Sequence, residues 1–213
     1  QLNENTLFIF TSDNGPWLNF GNHAGSALPL REGKGTAWEG GQREPCVVYY
    51  PKKIKGGRVI DTPMMAIDIL PTIAEITGAD LPEKKIDGKS AWEVWTGKTD
   101  QTQHEAFFFY YKSNELHGVR YQDWKLYFPH TYRTLNGRVG GKDGYPVKYE
   151  MNALESIELY NLKEDIGESK DVAAQYPEIV DKIKLLADEM RSKLGDKLFK
   201  IEGSENRPVG RID

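Results

Sequence analysis

An apolar run near the start of the chain predicts a strand. Residues 6–11 read TLFIFT, an almost unbroken series of β-branched, aliphatic and aromatic side chains. A run without polar alternation is typical of a strand that is buried on both faces of a parallel sheet. Residues 12–16, SDNGP, are turn formers and end this strand. A second strand is predicted from Cys46 to Tyr50, with Cys46 as a small core residue.

Apolar residues at helical spacing predict two helices. In the first, Asp68 precedes the helix, Gly78 ends it, and Ile69, Ile73 and Ile76 share the face that would pack on a sheet. The second begins at Pro177 and is ended by Gly195. Its apolar face is formed by Ile179, Ile183, Leu186, Met190 and Leu194.

Short aromatic runs in the second half predict a smaller antiparallel sheet. The runs cover residues 104–111, 117–121 and 124–128, with 158–161 as a fourth strand, and Gln122-Asp123 forms a tight turn. The polar residues 98–103 mark a boundary. The predicted fold is therefore α/β in residues 1–98, followed by an α+β subdomain in residues 99–213. This subdomain holds the four-stranded sheet, a long loop at 129–151, the helix at 177–195 and a loose tail.

The composition of the chain argues against several classes of protein. The chain has 213 residues, of which 38% are hydrophobic and 28% charged, and its net charge is −4. No apolar run reaches the roughly 20 residues that span a bilayer. A mildly acidic chain without a long basic run argues against nucleic acid as a partner. The single cysteine excludes an intrachain disulfide bond.

Two short loops carry candidate chemistry. Asp13 and Asn14 follow the first strand, where ligands of α/β sheets bind, and their oxygens suit Ca²⁺ or Mg²⁺ better than zinc. An Asx turn without a ligand explains the same pair, and this alternative stays open. Lys34 stands between two glycines, where an anion can approach the backbone and the ammonium. It is not a Walker A loop, since Leu28 and Gly35 occupy positions that need glycine and Ser or Thr.

The motifs SDNGP, LREGKGT and WEGGQREP, followed by a strand that ends in Pro51, resemble in order and spacing those of the type I sulfatases. These are the arylsulfatase-like branch of the alkaline phosphatase superfamily. The later motifs DGKS and LYNLKEDIGE are also similar, although Asn161 and Ile166 replace the usual aspartate and proline. The resemblance implies the C-terminal part of the alkaline phosphatase-like sulfatase fold.

The resemblance also implies roles for single residues. Asp13 and Asn14 would be Ca²⁺ ligands, with Mg²⁺ as an alternative, and Lys34 would be the catalytic residue that holds the substrate sulfate. His23 is expected to contact a substrate hydroxyl or to donate a proton, unless it only braces its loop. His104 is a further candidate for substrate binding. A salt bridge between Glu39 and Arg43 of WEGGQREP would brace the loop that carries Lys34.

The nucleophile of these sulfatases is a formylglycine made within a Cys/Ser-x-Pro-x-Arg sequence, which the 213 residues do not contain. We therefore expect a C-terminal part that is inactive without the N-terminal portion of the same protein. The family further implies a periplasmic or extracellular location. If the sheet edge is left uncovered, the chain is also expected to self-associate.

Sulfated carbohydrate is the substrate class that the loops favour. Residues 129–151 interleave Arg133, Arg138, Lys142 and Lys148 with tyrosines, which suits an anionic sugar chain as well as an ordinary surface loop. The predicted function is hydrolysis of sulfate esters. Two alternatives stay open: a phosphatase or phosphonate hydrolase of the same superfamily, and a non-catalytic glycan-binding fragment.

Overall fold

The computed structural model describes residues 2–207. Close contacts group the chain into two units. One comprises Gln1–Ser12 with Pro45–Glu105, and the other comprises Asp13–Glu44 with Ala106–Asp213. The boundary predicted between residues 98 and 99 stays a prediction. In the described part of the chain, no helix is long and apolar enough to cross a membrane.

The first unit contains one antiparallel strand pair. Strand β1 (Phe8–Thr11) pairs with β2 (Cys46–Tyr49), so both predicted strands are confirmed. The expected burial in a parallel sheet is wrong for the described residues, where Phe8 and Phe10 are 56% and 62% exposed. The reason is that β2 is the one strand paired with β1 in this part of the chain. Cys46 is also exposed rather than part of a core.

The helices of this unit are α2 (Ile69–Thr77) and α3 (Trp92–Thr96), and a 3₁₀ turn, Asn3–Asn5, precedes β1. As predicted, Asp68 precedes α2 and Gly78 ends it with a φ of 72°. The buried side, however, carries Thr72, and Ile73 is 40% exposed. Polar contacts explain this orientation. The Asp68 carboxylate accepts the Lys89 amide hydrogen at 2.9 Å, and the Thr72 hydroxyl accepts that of Ala91 at 2.8 Å.

The second unit is built on a four-stranded antiparallel sheet in the order β3-β4-β5-β8. Its strands match the prediction: β3 (Phe107–Tyr111), β4 (Glu115–Tyr121), β5 (Trp124–Tyr127) and β8 (Glu158–Asn161). The last helix, α4 (Pro177–Leu194), has the predicted bounds. Its buried face packs on the sheet in a common core that includes Leu116, Val119, Leu126, Leu159, Ile183 and Leu186.

The two ends of the predicted long loop at 129–151 belong to a pair of strands. Strand β6 (His130–Thr134) pairs antiparallel with β7 (Glu150–Leu154), which leaves residues 135–149 as the loop. The buried positions of β6 alternate along the strand, which is the expected period of two. Short elements complete the unit: α1 (Glu39–Gln42), 3₁₀ segments at Leu18–His23 and Ala173–Gln175, and the pair β9 (Gly195–Asp196) and β10 (Ile201–Glu202). The tail predicted to be loose is thus paired at β10, and residues 208–213 lie outside the described part.

A group of buried charges, Glu39, Lys125 and Glu168, forms the polar centre of this unit. We call it the buried charge cluster. The Lys125 ammonium, which is fully buried on β5, lies 2.6 Å from Glu39 Oε1 and 4.0 Å from Glu168 Oε1. The backbone N–H of Glu39 donates to Glu168 Oε2 at 2.8 Å, and the Tyr127 hydroxyl also bonds to Glu168. The cluster therefore connects α1, β5 and the segment after β8.

The two carboxyl groups of the cluster differ in their pKa. Burial acts to raise the pKa of Glu39, but the nearby charges of Lys125 and Arg120 hold it below its usual value. Burial raises the pKa of Glu168 in spite of Lys125 and Tyr127. Glu39 is thus the ionised partner of Lys125. The predicted bridge from Glu39 to Arg43 is present at 4.0 Å, which makes it secondary to Lys125.

Two stacked histidines lie beside this core. The rings of His117 and His130 are buried, with centroids 3.9 Å apart. His130 Nδ1 donates to the Phe128 carbonyl at 2.6 Å, and His117 Nε2 lies 2.9 Å from Glu115. Burial and the neighbouring His117 lower the pKa of His130 to about 4, and burial also lowers that of His117 despite Glu115. Both rings are therefore neutral at pH 7.

We expect Lys125→Met to destabilise the chain by about 3–5 kcal/mol, because it removes the buried ammonium that lies between the carboxyl groups of Glu39 and Glu168. Urea unfolding followed by circular dichroism measures this loss. Lys52→Met, in an exposed turn, is the matched control and should change stability by less than about 0.5 kcal/mol. Equal stability of the two variants would show that the cluster contributes nothing.

Acid should destabilise the chain through His130. The unfolded chain binds a proton there near pH 6.5, whereas the native chain does so only near pH 4. The stability contributed by neutral His130 is therefore complete above pH 6.5 and is lost as the pH falls to about 4, a change of about 3 kcal/mol. His130→Phe keeps an aromatic ring and should flatten the dependence of the unfolding free energy on pH. An unchanged pH dependence in this variant would contradict the assignment.

Candidate functional site

Two loops of the second unit, which sequence analysis had singled out separately, are joined by backbone hydrogen bonds. We call residues 13–16 the acidic turn and residues 33–36 the lysine loop. The Lys34 amide donates to the Pro16 carbonyl at 3.0 Å, and the Gly15 amide donates to the Gly41 carbonyl at 3.2 Å. A Cβ on Gly15 would lie 1.8 Å from the Gly40 oxygen. Glycine is thus required for the backbone of the acidic turn to approach this closely.

A second contact fixes the backbone of the lysine loop. Arg133, on β6, donates from Nε and Nη2 to the Lys34 carbonyl at 3.0 and 2.6 Å. Its guanidinium also lies 4.9 Å from the centre of the Tyr149 ring. Gly35 has a φ of 90°, and a Cβ there would lie 2.1 Å from Arg133. Arg133 therefore holds the backbone on which Lys34 stands.

The Lys34 side chain is half-buried and points past an aromatic ring. Its Nζ lies 5.0 Å from the centroid of the Trp17 ring. Among residues 2–207, no carboxylate lies within ion-pair distance of this ammonium. A cation that is partly removed from water and not neutralised by a carboxylate attracts an anion. The geometry of Lys34 therefore fits its predicted role.

The acidic turn offers oxygen atoms for a cation. Asp13 and Asn14 are adjacent, and Glu44 lies close enough to interact with Asp13. Burial raises the pKa of Glu44, and the negative charge of Asp13 raises it further. Glu44 Oε1 is buried and, within the described residues, has no hydrogen-bond partner. Repelling carboxyl groups with an unsatisfied oxygen fit a hard divalent cation.

The described residues do not form a complete metal site. No group of three or more His, Cys, Asp or Glu side chains in residues 2–207 is arranged to hold a metal ion. Asp13 and Asn14 could thus supply only part of a coordination shell. Their assignment as ligands stays a prediction.

The two candidate histidines have different surroundings. His23 is exposed at the end of a 3₁₀ segment that is kinked at Gly21, and it belongs to the same unit as Lys34. His104 belongs to the other unit, where its Nε2 lies 2.8 Å from the buried Asp68 carboxylate. Asp68 also accepts the Met65 amide hydrogen at 2.8 Å. The substrate roles predicted for both histidines stay predictions.

Two basic residues of the 129–151 segment, Arg133 and Arg138, are engaged within the unit. Arg133 bonds to the lysine loop, and Arg138 binds the Lys148 carbonyl at 2.9 Å and lies 3.1 Å from Glu150. The loop also packs on the residues after the acidic turn, where the amides of Gly141 and Val147 donate to the Asn19 carbonyl. Sequence analysis missed the contacts of Arg133 and Trp17 with Lys34. The sequence signal for these contacts is the pair of glycines around Lys34. Glycines indicate that another part of the chain approaches the backbone closely, but they do not show which residue it is.

Comparison with known proteins identifies the family. Residues 1–79 match the family model described as sulfatase, and residues 102–208 match that described as the C-terminal region of aryl-sulfatase. The chain is 30% identical to mouse steryl-sulfatase over 211 residues, which is 91% of the chain and 34% of the relative. It is 33% identical to human arylsulfatase A, with 87% of the chain and 38% of the relative aligned. The chain thus spans about a third of the length of these curated relatives.

A solved structure supports the same assignment. It is a Bacteroides thetaiotaomicron protein described with the metabolism of multiple glycosaminoglycans. It is 27% identical, with a TM-score of 0.67 over 90% of this chain and 40% of that protein. The fold is therefore that of the C-terminal part of a sulfatase, with its small antiparallel sheet and last helix. The chain belongs to the sulfatase family.

Proposed function

We propose that the protein containing this chain hydrolyses sulfate esters and that this chain supplies the sulfate-binding lysine and part of a metal site. The observation that carries the proposal is the joining of the acidic turn and the lysine loop within one unit of a sulfatase-family chain. These loops join the backbone of a candidate cation site to that of Lys34, whose ammonium has no carboxylate partner among the described residues. A divalent cation and an ammonium can both bind the oxygens of a sulfate ester and stabilise their negative charge.

Lys34 is proposed to bind the sulfate oxygens before and during bond cleavage. The leaving alcohol gains negative charge as its bond to sulfur breaks, and a fixed cation stabilises that charge in the transition state. The two hydrogen bonds from Arg133 hold the Lys34 backbone in place, so the ammonium needs little reorganisation. His23 is proposed to contact a substrate hydroxyl or to protonate the leaving group.

Asp13 and Asn14 are proposed to hold Ca²⁺, with Mg²⁺ as the alternative. When bound, the cation would polarise the sulfate oxygens as a Lewis acid. Oxygen donors alone favour these ions over zinc. Glu44 adds negative charge beside Asp13 and so favours cation binding.

The nucleophile is proposed to lie elsewhere in the protein, because the 213 residues contain no Cys/Ser-x-Pro-x-Arg sequence. Formylglycine is the group that we propose for this role, and the chain alone should then be inactive. Sulfated carbohydrate is the proposed substrate class. The description of the Bacteroides thetaiotaomicron structure, which mentions glycosaminoglycans, supports this class. Because a steryl-sulfatase and an arylsulfatase are among the relatives, other sulfate esters are tested as well.

In the intact protein, we expect Lys34→Met to lower kcat/KM for sulfate release about 100- to 1000-fold, because a cation at the transition state is lost. Initial rates on 4-nitrophenyl sulfate and a panel of sulfated sugars, with Ca²⁺ present, measure this. Lys34→Arg should retain more activity than Lys34→Met.

Two controls make the result interpretable. Lys52→Met, in an exposed turn, should keep the wild-type rate, and the isolated chain should release no sulfate. Turnover by the isolated chain would contradict the placement of the nucleophile. Hydrolysis of 4-nitrophenyl phosphate by the intact protein, without hydrolysis of 4-nitrophenyl sulfate, would favour a phosphatase. Binding of sulfated sugars without turnover would favour a glycan-binding protein.

Removal of the metal should abolish activity, and Ca²⁺ should restore it. We expect Asp13→Asn to raise the Ca²⁺ concentration needed for half-maximal activity at least about tenfold, because a charged ligand is lost. Titration calorimetry of the metal-free protein gives the same comparison without turnover. Asp61→Asn, at an exposed position, is the matched control. Equal Ca²⁺ affinity of the two variants would remove Asp13 from the site.

A further inference from the structure

We propose that Trp17 is a stacking platform for the ring that carries the sulfate ester, so that it determines specificity for cyclic substrates. This inference rests on the role proposed for Lys34. It adds a second recognition element, which contacts the organic part of the substrate, whereas Lys34 contacts the sulfate. The chemistry recognised is the flat apolar face of a ring bonded to a sulfate ester, as in a pyranose or an aryl group.

Trp17 is more exposed to solvent than the other tryptophans of the chain. The chain has five tryptophans, and Trp38 and Trp95 are buried in its described part while Trp92 and Trp124 are partly covered. Trp17 is 45% exposed. An indole left in water forgoes the large stabilisation that burial of its surface would give. Such a ring beside a candidate anion site is therefore available for a ligand.

The position of the Trp17 ring is fixed from two sides. On the backbone side, the Pro16 carbonyl that precedes it accepts the amide hydrogens of both Lys34 and Leu18 at 3.0 Å. On the side-chain side, the ring of Phe20 lies 4.8 Å away at an angle of 60°. The same hydrogen bond that joins the two loops thus sets the distance from the indole to the lysine. A ring held in this way loses little freedom when a ligand stacks on it.

Distances place a sulfated ring within reach of the indole. The Lys34 ammonium lies 5.0 Å from the Trp17 centroid, and an ammonium binds a sulfate oxygen at about 2.7–2.9 Å. The ring of the substrate begins one ester oxygen away from the sulfur. Ring faces interact at centroid distances of about 4.5–7 Å, which this arrangement allows.

A second role for Trp17 must be separated by experiment, since a cation near an indole is itself attracted to it. If Trp17 only orients the Lys34 ammonium, its removal would weaken every sulfate alike. If it stacks on the substrate, removal would weaken cyclic sulfates and leave binding of free sulfate unchanged. Acyclic alkyl sulfates and inorganic sulfate are therefore the decisive probes.

The experiment uses the intact protein with Trp17→Ala and Trp17→Phe. KM and kcat are measured on the best sulfated sugar of the panel, on 4-nitrophenyl sulfate and on an acyclic alkyl sulfate. Inhibition by inorganic sulfate is measured in parallel. We expect Trp17→Ala to raise KM for the cyclic substrates about three- to tenfold with a smaller change in kcat. Trp17→Phe should recover most of this loss, and inhibition by inorganic sulfate should not change.

Phe199→Ala removes another exposed aromatic ring and is the matched control. A rise in KM for the sulfated sugar alone would assign the platform to carbohydrate, and a rise for 4-nitrophenyl sulfate alone would assign it to aryl rings. Parallel losses for cyclic, acyclic and inorganic sulfate would overturn the platform in favour of an effect on Lys34. No effect of Trp17→Ala would also overturn it. Failure of the proposed function is distinct, because then Lys34→Met itself would leave the rates unchanged.

Discussion

The ammonium of Lys125 is buried within 2.6 Å of Glu39 and 4.0 Å of Glu168, and this ion cluster connects segments that are far apart in the sequence. Glu39 follows the lysine loop, Lys125 lies on β5, and Glu168 follows β8. A buried charge tolerates little displacement of its partner, because separation leaves both groups desolvated. The segment that carries Lys34 is therefore held to the sheet by an interaction that is costly to stretch.

Close backbone packing transmits this constraint to the candidate site. Gly41 accepts the amide hydrogen of Gly15, and Pro16 accepts that of Lys34. Neither hydrogen bond involves a side chain, so the distance between the acidic turn and the lysine loop depends on the path of the backbone. Arg133 then fixes the far side of the loop. Side chains with candidate chemistry thus stand on a backbone whose position is set by other residues, as preorganised sites require.

The elements that agree with the prediction are those that local periodicity determines. The bounds of α4, its end at Gly195 and the strands of the small sheet follow from spacing and turn formers. The predictions that differ from the structure concern positions whose environment depends on residues far away in the sequence. The burial expected for β1 depended on neighbouring strands, and the predicted loop at 129–151 is partly a hairpin. Ile73 turns outward because Asp68 and Thr72 bind the segment at 89–91. The motifs single out Lys34 as a candidate, but no local pattern could show that Arg133 holds its carbonyl from 99 residues away.

Opposite charges lie near one another in this site without neutralising each other. Burial and the negative charge of Asp13 raise the pKa of Glu44, while the Lys34 ammonium has no carboxylate partner in residues 2–207. An ion pair between the acidic turn and the lysine would occupy the groups that a ligand needs. The hydrogen bonds between the two backbones keep the loops together without that pairing. This arrangement suits a ligand that carries an anion and is bound together with a cation, which is the chemistry of a sulfate ester beside a divalent metal.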